Sequence, residues 1–146
     1  MTRVEIAVSV ARPPEEAFAW LSNFEKAPQW QSGVVEARFT SPPPLRVGST
    51  YTQRSRFLGR DILFNFEIIG YEPGRRIEFK TVSGTFPVHI TRWVEPTPEG
   101  SEVHALIRGD ASGLYRLAAP LLDRLTQRQI EGDYNRLKQV LEAQPA

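Results

Sequence analysis

The sequence has 146 residues, with 18 Lys plus Arg against 17 Asp plus Glu and a formal charge of +1. That size fits one domain over residues 1–146, and that balance gives no general attraction to nucleic acid or anionic membrane. The absence of cysteine excludes disulfides, thiolate nucleophiles and Cys-based metal sites, and no apolar run approaches the roughly 20 residues of a membrane span.

The opening MTRVEIAVSV lacks a continuous apolar signal core, which predicts a cytoplasmic protein. Residues 4–10 alternate, with Val4, Ile6, Val8 and Val10 on one side, and predict a half-buried strand. Arg12-Pro13-Pro14 ends it. Glu15 and Glu16 suit the positive end of a helix, and Ala17, Phe18, Trp20, Leu21 and Phe24 follow at helical spacing. A second short turn is predicted over 25–30. Six strands are then predicted over 34–39, 49–58, 61–71, 76–83, 88–95 and 102–110. Turn-forming sequences separate them: Ser41-Pro42-Pro43-Pro44, Gly59-Arg60, Glu72-Pro73-Gly74, Gly84 and the stretch from Pro96 to Gly100. Residues 114–143 predict one long helix. At about 1.5 Å per residue it is the only element able to lie across the whole sheet and cover its apolar face.

This order resembles the START-like (SRPBCC) superfamily, also called Bet v 1-like, and within it the polyketide cyclase/dehydrase-like branch. The resemblance rests on Pro14-Glu15-Glu16-Ala17-Phe18, on Asn23-Phe24-Glu25-Lys26-Ala27-Pro28-Gln29-Trp30 with Val34-Val35-Glu36-Ala37 after it, and on Tyr71-Glu72-Pro73-Gly74-Arg75-Arg76-Ile77. It continues through Val94-Glu95-Pro96 with Gly100-Ser101, where a threonine is common in place of Ser101, and ends in the final helix. It implies an α+β helix-grip fold: a seven-stranded curved antiparallel sheet wrapped around a long C-terminal helix, with two short helices after the first strand. The fold hosts carriers, receptors and enzymes, so it does not choose a function.

Residues paired across a hairpin point the same way. Centring one turn on Gly59-Arg60 pairs Phe57 with Ile62, Ser55 with Phe64, Gln53 with Phe66 and Tyr51 with Ile68. Centring the next on Pro73-Gly74 pairs Ile68 with Phe79 and Phe66 with Thr81. The last hairpin pairs Val94 with Val103, Arg92 with Ala105 and Ile90 with Ile107. These registers agree on one inner face, which alternation extends to Val35, Ala37 and Phe39. The opposite face takes Thr52, Arg54, Arg56, Asn65, Glu67, Glu78 and Lys80.

A curved sheet gripping a helix leaves a cavity, expected to be apolar with a few placed polar groups. The candidate ligand-binding residues are Phe57, Phe64, Phe66, Phe79 and Ile90 as apolar wall, and Tyr51, Gln53, Ser55, Thr81 and Arg92 as polar interruptions. The polar residues read equally well as half-exposed groups near the sheet ends, satisfied by water. Arg92 needs an anionic or carbonyl partner if it is inside, unless it snorkels to the mouth. The helix supplies Leu121, Leu125 and Gln129. Its apolar stripe changes direction between Leu125 and Ile130, so the first half is expected over the cavity and the second, with Tyr134, Leu137 and Leu141, on the first strand. Gly132 is expected where packing is close or a ligand needs room, and Pro120 at a kink or a fresh helix start.

Chemistry is sparse. His89 and His104 both face outward and lie roughly 13 Å apart at about 3.3 Å per residue, so they share no metal and no proton relay. GxSxG and Gly-rich phosphate loops are absent, and nothing points to a cofactor or metal. The inner face carries no Asp or Glu to act as a general acid or base. The expectation is therefore binding or transport of a small hydrophobic or aromatic ligand, with no catalytic residue assigned. The alternative is a polyketide cyclase or dehydratase working in the same cavity through Tyr51 and Arg92. A third reading is a homodimer through the outer sheet face, where Trp93 would mark the contact.

Overall fold

The computed structural model describes residues 2–110 and 119–145. Strand β1 (Thr2–Val10) leads to helix α1 (Pro14–Ser22), a 3-10 turn (Phe24–Gln29), then β2 (Val34–Phe39), β3 (Thr50–Phe57), β4 (Arg60–Glu72), β5 (Arg76–Gly84), β6 (Val88–Thr97), β7 (Gly100–Gly109) and helix α2 (Ala119–Glu142). The strands form one sheet in the order β1-β7-β6-β5-β4-β3-β2, antiparallel throughout. It curls around α2 in the helix-grip arrangement that the resemblance implies.

Local chemistry sets the element ends. Pro13 is extended and Pro14 occupies the first helical position of α1, with Glu15 and Glu16 in its first turn, where the missing Pro N–H costs nothing and acid charge meets the dipole. At the far end of α2 the C-terminal carbonyls are claimed by β1's exit. Arg12 donates to the Glu142 and Gln144 carbonyl oxygens at 2.9 and 2.6 Å, and the Ala11 N–H donates to the Glu142 carboxylate at 2.9 Å. A cation on orphan helix carbonyls satisfies both hydrogen bonding and dipole. Tyr134, Leu137 and Leu141 of α2 are buried in the core.

The expected pairs form in two hairpins and slip in one, although beside the β4–β5 turn Tyr71 pairs with Ile77, one residue off a turn centred on Pro73-Gly74. Val94 pairs with Val103, Arg92 with Ala105 and Ile90 with Ile107; Ile68 pairs with Phe79 and Phe66 with Thr81. Between β3 and β4, however, Ser55 pairs with Ile62, Gln53 with Phe64 and Tyr51 with Phe66. The turn residues are Leu58 (φ 51°) and Gly59 (φ 77°), a two-residue turn of the mirror-image type whose twist suits a hairpin. The register slides by two, so the inward set is unchanged.

Irregularities interrupt the β4–β5 pair between Asn65 and Phe66 and between Ile68 and Gly70, and the β2–β3 pair near its start. A bulge between Val34 and Glu36 turns Val34 inward and leaves Val35 47% exposed, correcting the placement of Val35 on the inner face. An extra residue in one strand breaks the period of two. Gly132 is also placed differently. It is exposed on α2, and a Cβ added there would meet nothing within 4 Å, so neither close packing nor ligand room accounts for it. Pro120 is the second described residue of α2, and what precedes it falls outside the described residues. The predicted helical residues 114–118 fall outside the described residues. Among the described residues no helix is long and apolar enough to cross a membrane.

Candidate functional site

The inside of the grip has a filled end and a hollow end. At the filled end the 3-10 turn inserts Phe24 between inward rings of the sheet. Phe24 stacks on Tyr51 at 3.9 Å between centroids and 8°, Tyr51 stacks on Phe66 at 4.9 Å and 19°, and Phe79 meets Phe66 edge-on at 5.3 Å and 82°. All four are buried. Offset stacks and edge-to-face pairs are the favoured ring geometries. Tyr51, Phe66 and Phe79, expected as cavity wall, are therefore core. Burial pushes the Tyr51 hydroxyl pKa well above its ordinary value, with the Arg92 charge opposing, so the hydroxyl keeps its proton at neutral pH.

At the hollow end a cavity of about 180 Å³ lies between the β3–β4 hairpin and the middle of α2. Its apolar wall includes Phe57, Ile62, Phe64, Phe86, Val88, Ile90, Ile107 and Ile130; its polar groups include Gln31, Gln53, Ser55, Gln129, Asp133, Arg92 and Tyr134. Seven expected residues meet here: Gln53, Ser55, Phe57, Phe64, Ile90, Arg92 and Gln129. Thr81 does not line it. The Thr81 hydroxyl accepts the Val88 N–H at 3.1 Å and so serves the end of the β5–β6 ladder. Leu125 is half-buried but off the wall, and the side chain of Leu121 lies outside the described residues. Among the described residues the helical wall is Thr126, Gln129, Ile130, Asp133 and Tyr134. Gly33 permits the approach of its loop to α2: a Cβ there would sit 2.5 Å from the Gln129 amide nitrogen.

Two charged side chains stand at one end of the hollow. Arg92 is 4% exposed. Its Nε donates to the Tyr134 hydroxyl at 2.9 Å and its Nη1 to the Leu21 carbonyl at 2.9 Å, at the C-terminal end of α1. Its guanidinium lies 5.1 Å from the ring centroids of Trp30 and Phe79, near enough for cation–π attraction. The protein thus supplies part of the partnership a buried guanidinium requires, while Nη2 makes no hydrogen bond to a described residue.

Asp133, on α2, brings to the cavity a carboxylate of the kind that the inner face of the sheet is expected to lack. It is 7% exposed and lines the cavity beside Tyr134. Its Oδ1 accepts from the Ser32 N–H and the Ser32 hydroxyl, each at 2.9 Å. Burial raises its pKa; the two Ser32 hydrogen bonds and the charges of Arg136 and Arg92 offset this only in part. Burial also raises the Tyr134 pKa, against the pull of Arg92. The helix carries a signal for Asp133: it follows Gln129 by four residues, and positions i and i+4 share a face.

A second hollow, about 480 Å³, lies outside the grip against the proline run, walled by Ser22, Asn23, Glu25, Phe39, Ser41, Pro42, Pro43, Leu45 and Ser49. The Ser41 and Ser49 hydroxyls there accept backbone N–H groups of Thr50 and Arg46. The Ser22 hydroxyl donates to the Phe18 carbonyl within α1, so the hollow's serines are already engaged, and it holds no buried charge.

The family described as polyketide cyclase / dehydrase and lipid transport matches residues 1–142. Among solved structures, a Thermus thermophilus protein is similar at 18% identity and a TM-score of 0.80, with 97% of each chain covered. A START superfamily protein from Mycobacterium smegmatis aligns at 16% identity and 0.79, over 97% of this chain and 98% of that one. Ara h 8.0201 aligns at 12% identity and 0.70, again over 97% and 98%. At these identities the likeness establishes the START-like, Bet v 1-like fold and no ligand. No curated protein matches the chain.

Proposed function

Because the chain belongs to the polyketide cyclase / dehydrase and lipid transport family, we propose that it binds one small aromatic molecule in the 180 Å³ hollow. The molecule's polar substituents lie toward Asp133 and Arg92, and the protein acts as a carrier or receptor in the cytoplasm. The observation that carries this reading is an apolar hollow with a buried carboxylate and a buried guanidinium on its wall. A cavity of about 150 Å³ already accommodates benzene, so this one suits a single substituted ring rather than a long acyl chain.

Magnitudes say what the polar groups are for. Burying about 150 Å² of ring surface at about 25 cal/mol per Å² yields about 4 kcal/mol, a millimolar Kd. Two hydrogen bonds to charged groups, at about 1.5–3 kcal/mol each, bring the affinity toward micromolar. A ring bearing a hydroxyl to donate to Asp133 and a carbonyl to accept from Arg92 meets both. Calorimetric titration with toluene, p-cresol and 4-hydroxyacetophenone tests this: affinity rises in that order, and Ile90→Phe, which fills the hollow, abolishes it. Equal affinity for all three, or binding indifferent to Ile90→Phe, contradicts the reading.

Asp133 specifically favours a second reading, a cyclase or dehydratase in the same cavity. A buried carboxyl with a raised pKa is suited to general acid–base work, with Arg92 polarising a carbonyl. Turnover that vanishes in Asp133→Asn while ligand still binds would establish it; binding without turnover in the unaltered protein leaves the carrier reading.

A further inference from the structure

The outer face of the sheet, opposite the cavity, holds a cluster that ligand binding does not use. Glu95 of β6 and Glu102 of β7 are directly opposite each other. Like charges in that arrangement destabilise a strand pair unless something positive stands between them. His104, two residues along β7 on the same face, directs its ring at both. Its Nε2 lies 2.8 Å from the Glu102 carboxylate and 3.4 Å from that of Glu95. That nitrogen is shielded from solvent and makes no hydrogen bond, because neither contact has hydrogen-bond geometry. His89, the other histidine, differs: its Nε2 is hydrogen-bonded to Glu78 at 2.6 Å.

The His104 ring is also held in place. Trp93 is its cross-strand partner, and the two rings stack at 5.0 Å and 5°. Three possible ligand atoms, one imidazole nitrogen and two carboxylate oxygens, lie within 4.8 Å of one another. Ligands about 2.0–2.1 Å from a tetrahedral zinc ion are about 3.4 Å apart, so small side-chain adjustments would seat an ion. One imidazole with two carboxylates suits zinc and neighbouring first-row ions better than calcium or magnesium, which prefer all-oxygen sets.

We propose that Glu95, Glu102 and His104 bind a divalent transition-metal ion, with water completing the coordination. The ion replaces carboxylate repulsion by attraction and clamps β6 to β7. The site uses one histidine with two acids that the register brings opposite each other.

The test is a zinc chloride titration of untagged protein at pH 7.5, read by calorimetry, with nickel quenching of tryptophan fluorescence alongside. One zinc ion binds per chain, and His104→Ala weakens it at least tenfold. Glu95→Gln with Glu102→Gln, which leaves the His104–Trp93 stack intact, weakens it as much. His89→Ala changes nothing, and Trp93→Phe keeps zinc binding while losing the nickel-sensitive emission. Zinc binding no tighter in the unaltered protein than in His104→Ala, or a loss matched by His89→Ala, overturns the proposal.

Discussion

The two ends of the grip are built from the same residue types on the same strands, yet one is solid and the other hollow. Tyr51 and Phe66 fill one end; Phe57 and Phe64, further along β3 and β4, wall the other. The difference comes from what faces them. Phe24 reaches in from the 3-10 turn and stacks on Tyr51 at 3.9 Å. Opposite Phe64, residues 126–134 of α2 present Gln129, Ile130 and Asp133 to open space. Strand alternation decides which side chains point inward, whereas elements distant in sequence decide whether the space in front of them is filled.

The largest effect expected from this contrast is on stability. Phe79→Ala, in the filled end, should cost about 3–5 kcal/mol in urea unfolding, the sum of lost transfer energy and a new cavity. Phe64→Ala borders space already empty and should cost clearly less. Equal losses would erase the distinction. Overpacking probes it in the opposite direction. Ile68→Phe adds bulk where no room exists and should cost about 1–3 kcal/mol, while Ile90→Phe grows into the hollow and should cost under about 1 kcal/mol by the same measurement.

The smallest effect is electrostatic and belongs to the hollow alone. The Asp133 pKa is raised in the folded state, chiefly by burial. The folded protein then holds that proton more tightly than the unfolded chain. The stability this confers is present below the ordinary carboxyl pKa and is lost as pH rises through the raised folded value. Asp133→Asn keeps an oxygen for both Ser32 hydrogen bonds and removes the charge. Its unfolding midpoint should therefore exceed that of the unaltered protein at pH 7 and approach it near pH 4. A variant less stable at pH 7 would mean that the carboxylate is better compensated than its burial indicates. Glu78 works with the opposite sign. Its burial raises the pKa, but hydrogen bonds from His89 and Arg76 outweigh this and hold it below the ordinary range, so its contribution is lost as pH falls. Comparing variant with parent isolates Asp133.

Most of the fold is legible in the amino-acid order, because inward and outward sides repeat with period two over long strands. Ile90–Ile107 follows from turn position alone, whereas Ile68 meets Phe79 through the register shift between Ile68 and Gly70. The β3–β4 register departs from a turn centred on Gly59-Arg60 because Leu58, a residue type that rarely takes positive φ, shares the turn with Gly59. Alternation misplaces Val35 because a bulge leaves no mark in a hydrophobic pattern. The site is less legible. Parity does not distinguish Tyr51, Phe66 and Phe79 from Phe57 and Phe64, since the plug, Phe24, comes from an element whose docking is not written in its own spacing. Asp133 lies on a helix, out of reach of strand parity, although its four-residue step from Gln129 places it on the same helical face.

The hollow can be tested at atomic resolution by isoleucine methyl NMR during titration with 4-hydroxyacetophenone. Ile62, Ile90, Ile107 and Ile130 line the cavity, while Ile68 and Ile77 lie in the filled core. Saturable shifts confined to the first four are the predicted result. Shifts at none of them, or shifts equally large at Ile68 and Ile77, would contradict the existence of a ligand chamber at this end of the grip.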